Sequence, residues 1–206
     1  MNPAKGTDRR IRRTRAMIFE AFLTLLNRKS YAEISIVDIA EQADINRSTV
    51  YAHFVDKDDL MRQFVADNLD ALKIRIEAGA CAPPSSPAFR ESDPIFEALF
   101  DHTFERDAFY RLMLANDPSG EFRARLHAVI RDGFFRRLSK LGLDQKLQVP
   151  LDLLLDYVSC STAGILHKWL SDNTVYSPRH MALQLTRLAL LGVYRSMGID
   201  DAESTA

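Results

Sequence analysis

At 206 residues, 47% apolar and with a formal net charge of −1, the chain can bury a real core, as one large domain or as one small and one larger. The near-neutral total gives no support to a globally basic nucleic-acid binder, and no run of ~20 consecutive apolar residues is present to span a membrane. Its two cysteines, Cys81 and Cys160, show neither metal-ligand spacing nor a disulfide framework, which suits a reduced, cytoplasmic setting with no metal or other cofactor.

Charge is nevertheless uneven. Lys5, Arg9, Arg10, Arg12, Arg13 and Arg15 crowd the start, opposed only by Asp8, while Asp200, Asp201 and Glu203 sit in the tail. The basic run reads either as a solvated arm or as a partner for an anion. Polarity interrupts the N-terminus before any apolar run develops, so no secretory signal is expected. Ala16, Phe19, Leu23 and Leu26 recur at steps of three and four, and Ile18, Phe22 and Leu25 widen that face. This predicts a first helix from about Asp8 to Asn27.

A short second helix fits Ile36 to Gln42, capped by Ser35, with Ile36, Ile39, Ala40 and Ala43 inward. Asp44 suits the following turn because Asp tolerates the left-handed region. Asn46 caps a third helix, Arg47 to about His53, and Asp56 a fourth, Lys57 to about Ala78, with Leu60, Phe64, Leu69, Leu72 and Ile76 on its buried side. The stretch "GACAPPSSPAFRESDP", Gly79 to Pro94, reads as a loop. Asp93 and Pro94 then restart a helix carrying Phe96, Leu99, Phe100 and Phe104. A short helix spans Phe109 to Leu114. A longer one carries Phe122, Leu126, Val129, Ile130 and Phe134 and closes near Gly142. Pro150 opens a helix to about Leu170, and Pro178 a last one ending near Gly198. No alternating strand pattern occurs. The expected class is all-α: an N-terminal three-helix unit over residues 1–56, then a larger helical domain over 57–206.

Two short helices crossing steeply need a small residue at their contact, and Ala40 supplies one. Ile39, Ile45, Val50 and Phe54 are spaced to pin the second of the pair, leaving Arg47, Ser48, Thr49 and Ala52 outward. This is a helix-turn-helix, whose second helix enters the major groove of double-stranded DNA by its N-terminal end. Arg47 has the geometry to donate two hydrogen bonds to guanine or to bind phosphate. Ser48 and Thr49 suit a base edge or a phosphate, and the Thr49 methyl suits thymine. Taken singly, Arg47 and Lys57 also read as ordinary surface charges and Tyr51 as a partly buried aromatic.

The whole stretch "ISIVDIAEQADINRSTVYAHFVDKDDL" resembles the DNA-binding signature of the TetR family of bacterial transcriptional regulators. The matching residues are Ser35, Ile39-Ala40, Ala43-Asp44-Ile45-Asn46, Tyr51, His53-Phe54, Lys57 and Leu60. Asp44 stands where the family has a turn glycine, and Asn46 where it has a capping serine. The resemblance implies that Arg47, Ser48 and Thr49 lie at the groove. It also implies that Tyr51, His53 and Lys57 grip backbone phosphates, that Ser35 belongs to the same interface, and that Arg12 and Arg13 reach a neighbouring phosphate or the minor groove.

"RDAFYRLML", "YVSCSTAGILHKWLSDN" and "SPRHMALQLTRLALLG" resemble the C-terminal part of one branch of that family, which includes regulators similar to the dihydroxyacetone-kinase operon activator. The small-sided "SCSTAG" run and the stripe Leu185, Leu188, Leu191 and Tyr194 suit either a homodimer interface or an internal core. Phe96, Phe100, Phe104, Phe109, Tyr110, Phe134 and Trp169 read as plain core or as pocket lining, with Phe100, Phe104, Tyr110, Phe134 and Trp169 the candidate effector residues. The effector is a small molecule or a protein, and the sequence names neither. His102, His127 and His167 lack the spacing of a metal site. Ser159, Ser161 and His167 raise a catalytic reading, but no nucleophile elbow or phosphate loop accompanies them. The function expected is a dimeric regulator, a repressor on a pseudopalindromic operator. The alternative is an activator governed by a protein partner.

Overall fold

The computed structural model describes residues 3–81, 91–117, 119–142, 147 and 149–196, and for 3–8, 81, 190, 191 and 193–196 the backbone alone. The expected loop from Gly79 to Pro94 falls mostly outside these residues. So do Asp200, Asp201 and Glu203 and the side chains of Lys5, Asp8, Cys81, Leu191 and Tyr194. Every element among the described residues is helical. They are α1 (Pro3–Leu26), a 3-10 turn (Tyr31–Glu33), α2 (Ile36–Gln42), α3 (Arg47–Tyr51) and α4 (Lys57–Cys81), then α5 (Pro94–Glu105), α6 (Asp107–Ala115), α7 (Glu121–Lys140), α8 (Leu151–Ser171) and α9 (Pro178–Ser196). The basic run is helical rather than a loose arm, since α1 begins at Pro3 and Arg is a good helix former. No helix of the described residues is long and apolar enough to cross a membrane.

The chain divides into a head, Met1–Asn68, and a rear, Leu69–Ala206. The boundary between these two units falls inside α4, whereas the sequence reading divides the chain at residue 56. The reason is packing: Leu60, Phe64 and Val65 of α4 are buried with the head, where the Phe64 ring lies 5.1 Å from Phe19 and 5.9 Å from Phe22. Ile18, Phe22, Leu25, Ile34, Ile39, Ala40, Val50 and Phe54 complete that core. Such side chains are each worth about 1.5–3 kcal/mol of transfer free energy when fully buried.

In the rear, α5 packs on α9, and α7 and α6 both pack on α8. Close helix approach depends on glycine at two places. A Cβ on Gly133 would meet Ile76 Cγ2 at 2.2 Å, and one on Gly79 would meet the Pro94 carbonyl oxygen at 2.6 Å. Asp93 accepts the Ile95 backbone N–H (2.8 Å), so the cap and the proline open α5 as the sequence indicates. The last helix run leaves helical geometry at Gly192, where φ is 70°.

Candidate nucleic-acid interface

The interface is built on helices of seven and five residues, too short to persist without end groups. Ser35 opens α2 with a capping box: its Oγ accepts the Asp38 N–H (3.1 Å), while its own N–H and O–H donate to the Asp38 carboxylate (2.8 and 2.6 Å). Those two donors, with Lys29 at 3.2 Å, hold the Asp38 carboxyl down at about 2. Ser35 therefore shapes the interface as a cap, with its hydroxyl proton already committed.

α2 closes with a Schellman arrangement. Ile45 N–H donates to Ala40 (3.0 Å), Asp44 N–H donates to Glu41 (3.1 Å), and Asp44 takes φ 53°. The aspartate occupies the left-handed position that glycine usually fills. Asn46 then opens α3, its Oδ1 accepting both the Ser48 N–H and the Ser48 O–H at 2.9 Å. The Ser48 hydroxyl proton is thus committed to Asn46.

Val50 and Phe54 are buried and fix the rotation of α3. Arg47 and Ser48 are exposed as a result, Thr49 is half-buried, and Tyr51 is 56% exposed. His53 is half-buried, and burial first, then the Arg15 charge, lowers its pKa. Arg12 and Arg13 are exposed on α1. Lys57 is placed differently from a simple phosphate grip. Its Nζ donates to the Tyr31 and Ile34 carbonyls, each at 2.7 Å, and lies 4.4 Å from the Tyr31 ring centroid.

Two supporting residues escaped the sequence reading. Arg15 donates to Gln63 (2.7 Å) and Asp67 (3.0 Å) while its guanidinium lies 4.9 Å from the Phe54 centroid and 5.2 Å from Phe19. It anchors the end of the reading segment to α1 and α4, and its four-residue spacing from Phe19 was the available signal. Tyr31, whose hydroxyl donates to Asp58, is the other; burial raises its pKa, and the Asp58 bond adds to that.

In the rear the five candidate pocket residues differ in burial. Phe100 and Tyr110 are fully buried, Trp169 nearly so, Phe134 is half-buried and Phe104 is 51% exposed. Phe100 meets Trp169 edge-on at 5.1 Å, whereas Tyr110 packs on Phe109 at the same distance. An open cavity of about 440 Å³ lies among Ile165, Lys168, Trp169, Asp172, Val175, Tyr176 and Met181, and Trp169 is the one candidate that borders it. Ser159 meets His127 (2.8 Å) rather than His167, and Ser161 bonds the Val158 carbonyl (3.1 Å), so the catalytic grouping does not assemble.

Residues 18–64 match the family described as bacterial regulatory proteins, tetR family, and residues 90–190 match the one described as transcriptional regulator C-terminal region. Over 200 residues the chain is 26% identical to an uncharacterised HTH-type transcriptional regulator, YxbF, of Bacillus subtilis (strain 168). That alignment takes in 93% of this chain and 48% of the relative, so the chain spans about half the length of that curated protein. Among solved structures it is similar in fold to the regulator FadR of Bacillus subtilis in complex with stearoyl-CoA, with TM-score 0.64, 14% identity, and 86% and 98% of the two chains covered. It is similar as well to the dihydroxyacetone kinase operon activator DhaS, with TM-score 0.61, 19% identity and coverages of 86% and 94%.

Proposed function

We propose that this chain, which belongs to the TetR family of DNA-binding transcriptional regulators, acts in the bacterial cytoplasm as a homodimeric repressor on a pseudopalindromic operator, under an effector bound by the rear. The observation that carries the DNA reading is the orientation of α3. Val50 is fully buried beneath it, so Arg47 and Ser48 face outward on a capped helix start. Arg47 and Thr49 then read base edges, and Ser48 accepts from base amino groups. Tyr51, His53 and the exposed Arg12 and Arg13 hold phosphates, setting register and strength without sequence information.

Support for the dimer comes from α8. Leu153 (61% exposed) and Tyr157 (58%) are four residues apart, and Ser161 and Gly164 continue their face. A face of that kind, unburied within its own chain, suits a two-fold helical interface. Two-fold symmetry sets the reading helices about 34 Å apart or a multiple of it. Support for a small effector comes from the cavity of about 440 Å³ and from the stearoyl-CoA held by the FadR relative in fold. An effector that prefers one spacing of the heads shifts operator affinity by its differential binding alone, typically about 5–150-fold. The second reading, an activator governed by a protein partner, draws on the likeness to DhaS and on the exposed Val175 and Tyr176.

The test is selection of bound genomic fragments at physiological salt, followed by Arg47→Ala. The variant should relax preference at one or two base positions and cost about 1–3 kcal/mol there. Equal weakening on every sequence would remove Arg47 from base reading.

A further inference from the structure

We propose that the cavity between the end of α8 and the start of α9 binds an aromatic carboxylate. Its ring lies against Trp169 and Tyr176, and its carboxylate is taken by Lys168 at the mouth. The proposal rests on the reading above of a small effector in the rear, and names the chemical class that this cavity takes.

The walls are fixed before any ligand arrives. Past Ser171 the chain folds back over the end of α8. Asn173 N–H donates to the Leu170 carbonyl (3.2 Å) and Thr174 N–H to the Trp169 carbonyl (3.0 Å), both residues being left-handed at φ 56° and 52°. This return carries Val175 and Tyr176 to the cavity, and the Trp169 indole N–H pins it by donating to the Tyr176 carbonyl at 2.9 Å. The Tyr176 ring is held in turn by stacking on His180 at 4.8 Å. Preorganised walls lower the ordering cost of binding.

The lining selects the ligand. Ile165, Trp169, Val175, Tyr176 and Met181 make most of it apolar, and the indole N–H is already committed. Two aromatic side chains and a thioether favour an aromatic ring over an alkyl chain. Val175 is 76% and Tyr176 56% exposed, apolar surface that such a ring would cover. The charged lining residues, Lys168 and Asp172, are bonded at 2.8 Å and are 75% and 51% exposed, so they stand at the mouth. An ammonium has three donors and Asp172 takes one, so Lys168 can hold a second carboxylate without releasing the first. The turn of α9 that leads to Met181 adds the exposed Arg179 and His180 and no acid. The mouth is therefore set for an anion and not for a cation.

Trp169 is the only tryptophan of the chain, so its fluorescence reports on this cavity. The experiment titrates the full chain with biphenylacetate, its primary amide and the amine of equal length. All three should give a saturable change, with the acid about fivefold tighter than the amide, the size of one exposed ion pair, and the amine weakest. Lys168→Met should erase the advantage of the acid and leave the amide as before. Val175→Asp, which sets a charge in the apolar wall, should weaken all three. Both positions are mostly exposed, so each variant should keep the wild-type Tm. If Val175→Asp lowers Tm, the acid-to-amide ratio in Lys168→Met decides. An amide equal to the acid, an amine that binds best, or no saturable change with any probe overturns the proposal. Affinities unaltered in a folded Val175→Asp also overturn it, because the ligand then lies elsewhere. The acid is finally added to wild type titrated against a fragment that it selects. A shift in fragment affinity that disappears in Lys168→Met supports both readings. Binding in the cavity with unchanged fragment affinity keeps the site and sinks the effector reading instead.

Discussion

The head closes its helix ends with side chains that answer one another: Ser35 with Asp38, Asn46 with Ser48, and Asp56 with Asp59, whose N–H donates to Asp56 at 2.6 Å. The rear leaves Tyr110 Oη and Thr103 Oγ1 buried without a hydrogen-bond partner among the described residues. Helices of seven and five residues have few internal bonds, so their ends decide whether they form and where they point. Thr103 and Tyr110 lie on α5 and α6, of twelve and nine residues, where Leu99, Phe100, Phe109, Met113 and Leu114 are buried around them and that burial outweighs an unpaired polar atom.

Arg137 is the sharpest exception in the rear and should give the largest effect. It pairs with Asp93 and donates to the Gly79 carbonyl at 2.8 Å, with only 8% of its side chain exposed. Asp93 also caps α5, and its N–H donates to Thr186 Oγ1 at 2.7 Å, so one buried pair joins the end of α4 to α5, α7 and α9. Arg137→Ala should cost about 3 kcal/mol in urea unfolding, because Asp93 is left with an uncompensated charge. The double change Arg137→Met with Asp93→Asn should recover part of that loss. A loss under about 1 kcal/mol would show that apolar packing alone carries the rear.

In the head the corresponding change is Ser35→Ala, expected to cost about 1 kcal/mol by removing a cap. It should also alter the response to acid. Ser35 and Lys29 depress the Asp38 carboxyl to about 2, so its contribution is complete above the ordinary carboxylate range and is lost as pH falls through about 2. Urea midpoints measured from pH 5 downward should therefore fall less steeply for Ser35→Ala than for the wild type. Parallel curves would assign the low Asp38 value to the backbone N–H of residue 35 and to Lys29 instead.

Much of this contrast was legible in the residues, because capping and periodicity are local. Ser35, Asn46 and Asp93 announced helix starts, and Asp44 announced a left-handed turn, since each acts within a few positions of itself. The domain boundary was not legible. Phe64 joins the head only because Phe19 and Phe22, over forty positions earlier, lie against it. The inward turn of Lys57 and Arg15 was hidden for the same reason: a cation's partners are set by tertiary contact, and composition shows only its charge. The aromatic residues of the rear divided between core and surface, because helical spacing places Phe100 and Phe104 on one helix without saying which neighbour covers either.

Tyr110→Phe tests the other half of the comparison. Burial pushes the Tyr110 hydroxyl pKa up, and that oxygen lacks a partner among the described residues. Removing it should gain about 1 kcal/mol, opposite in sign to the loss at Ser35. A loss of similar size would mean that the oxygen is satisfied, and that the rear is as closely matched in its polar groups as the head.

The smallest effects are expected where both regions use left-handed residues that are not glycine. Asp44 takes φ 53° in the head, and Thr174 takes φ 52° in the rear, where its N–H donates to the Trp169 carbonyl at 3.0 Å. A short polar side chain tolerates that region, whereas a β-branched one is an outlier there. Thr174→Gly should therefore gain about 0.5 kcal/mol, net of the greater chain entropy that glycine loses on folding. Asp44→Gly should change stability by less than that, because the relief of strain and the entropic cost nearly cancel. Equal gains at the two sites, read from urea midpoints, would mean that Asp44 is as strained as Thr174. The turn between α2 and α3 would then be held by the bonds around it and not by its own residue, and the head would owe its geometry to the network of caps alone.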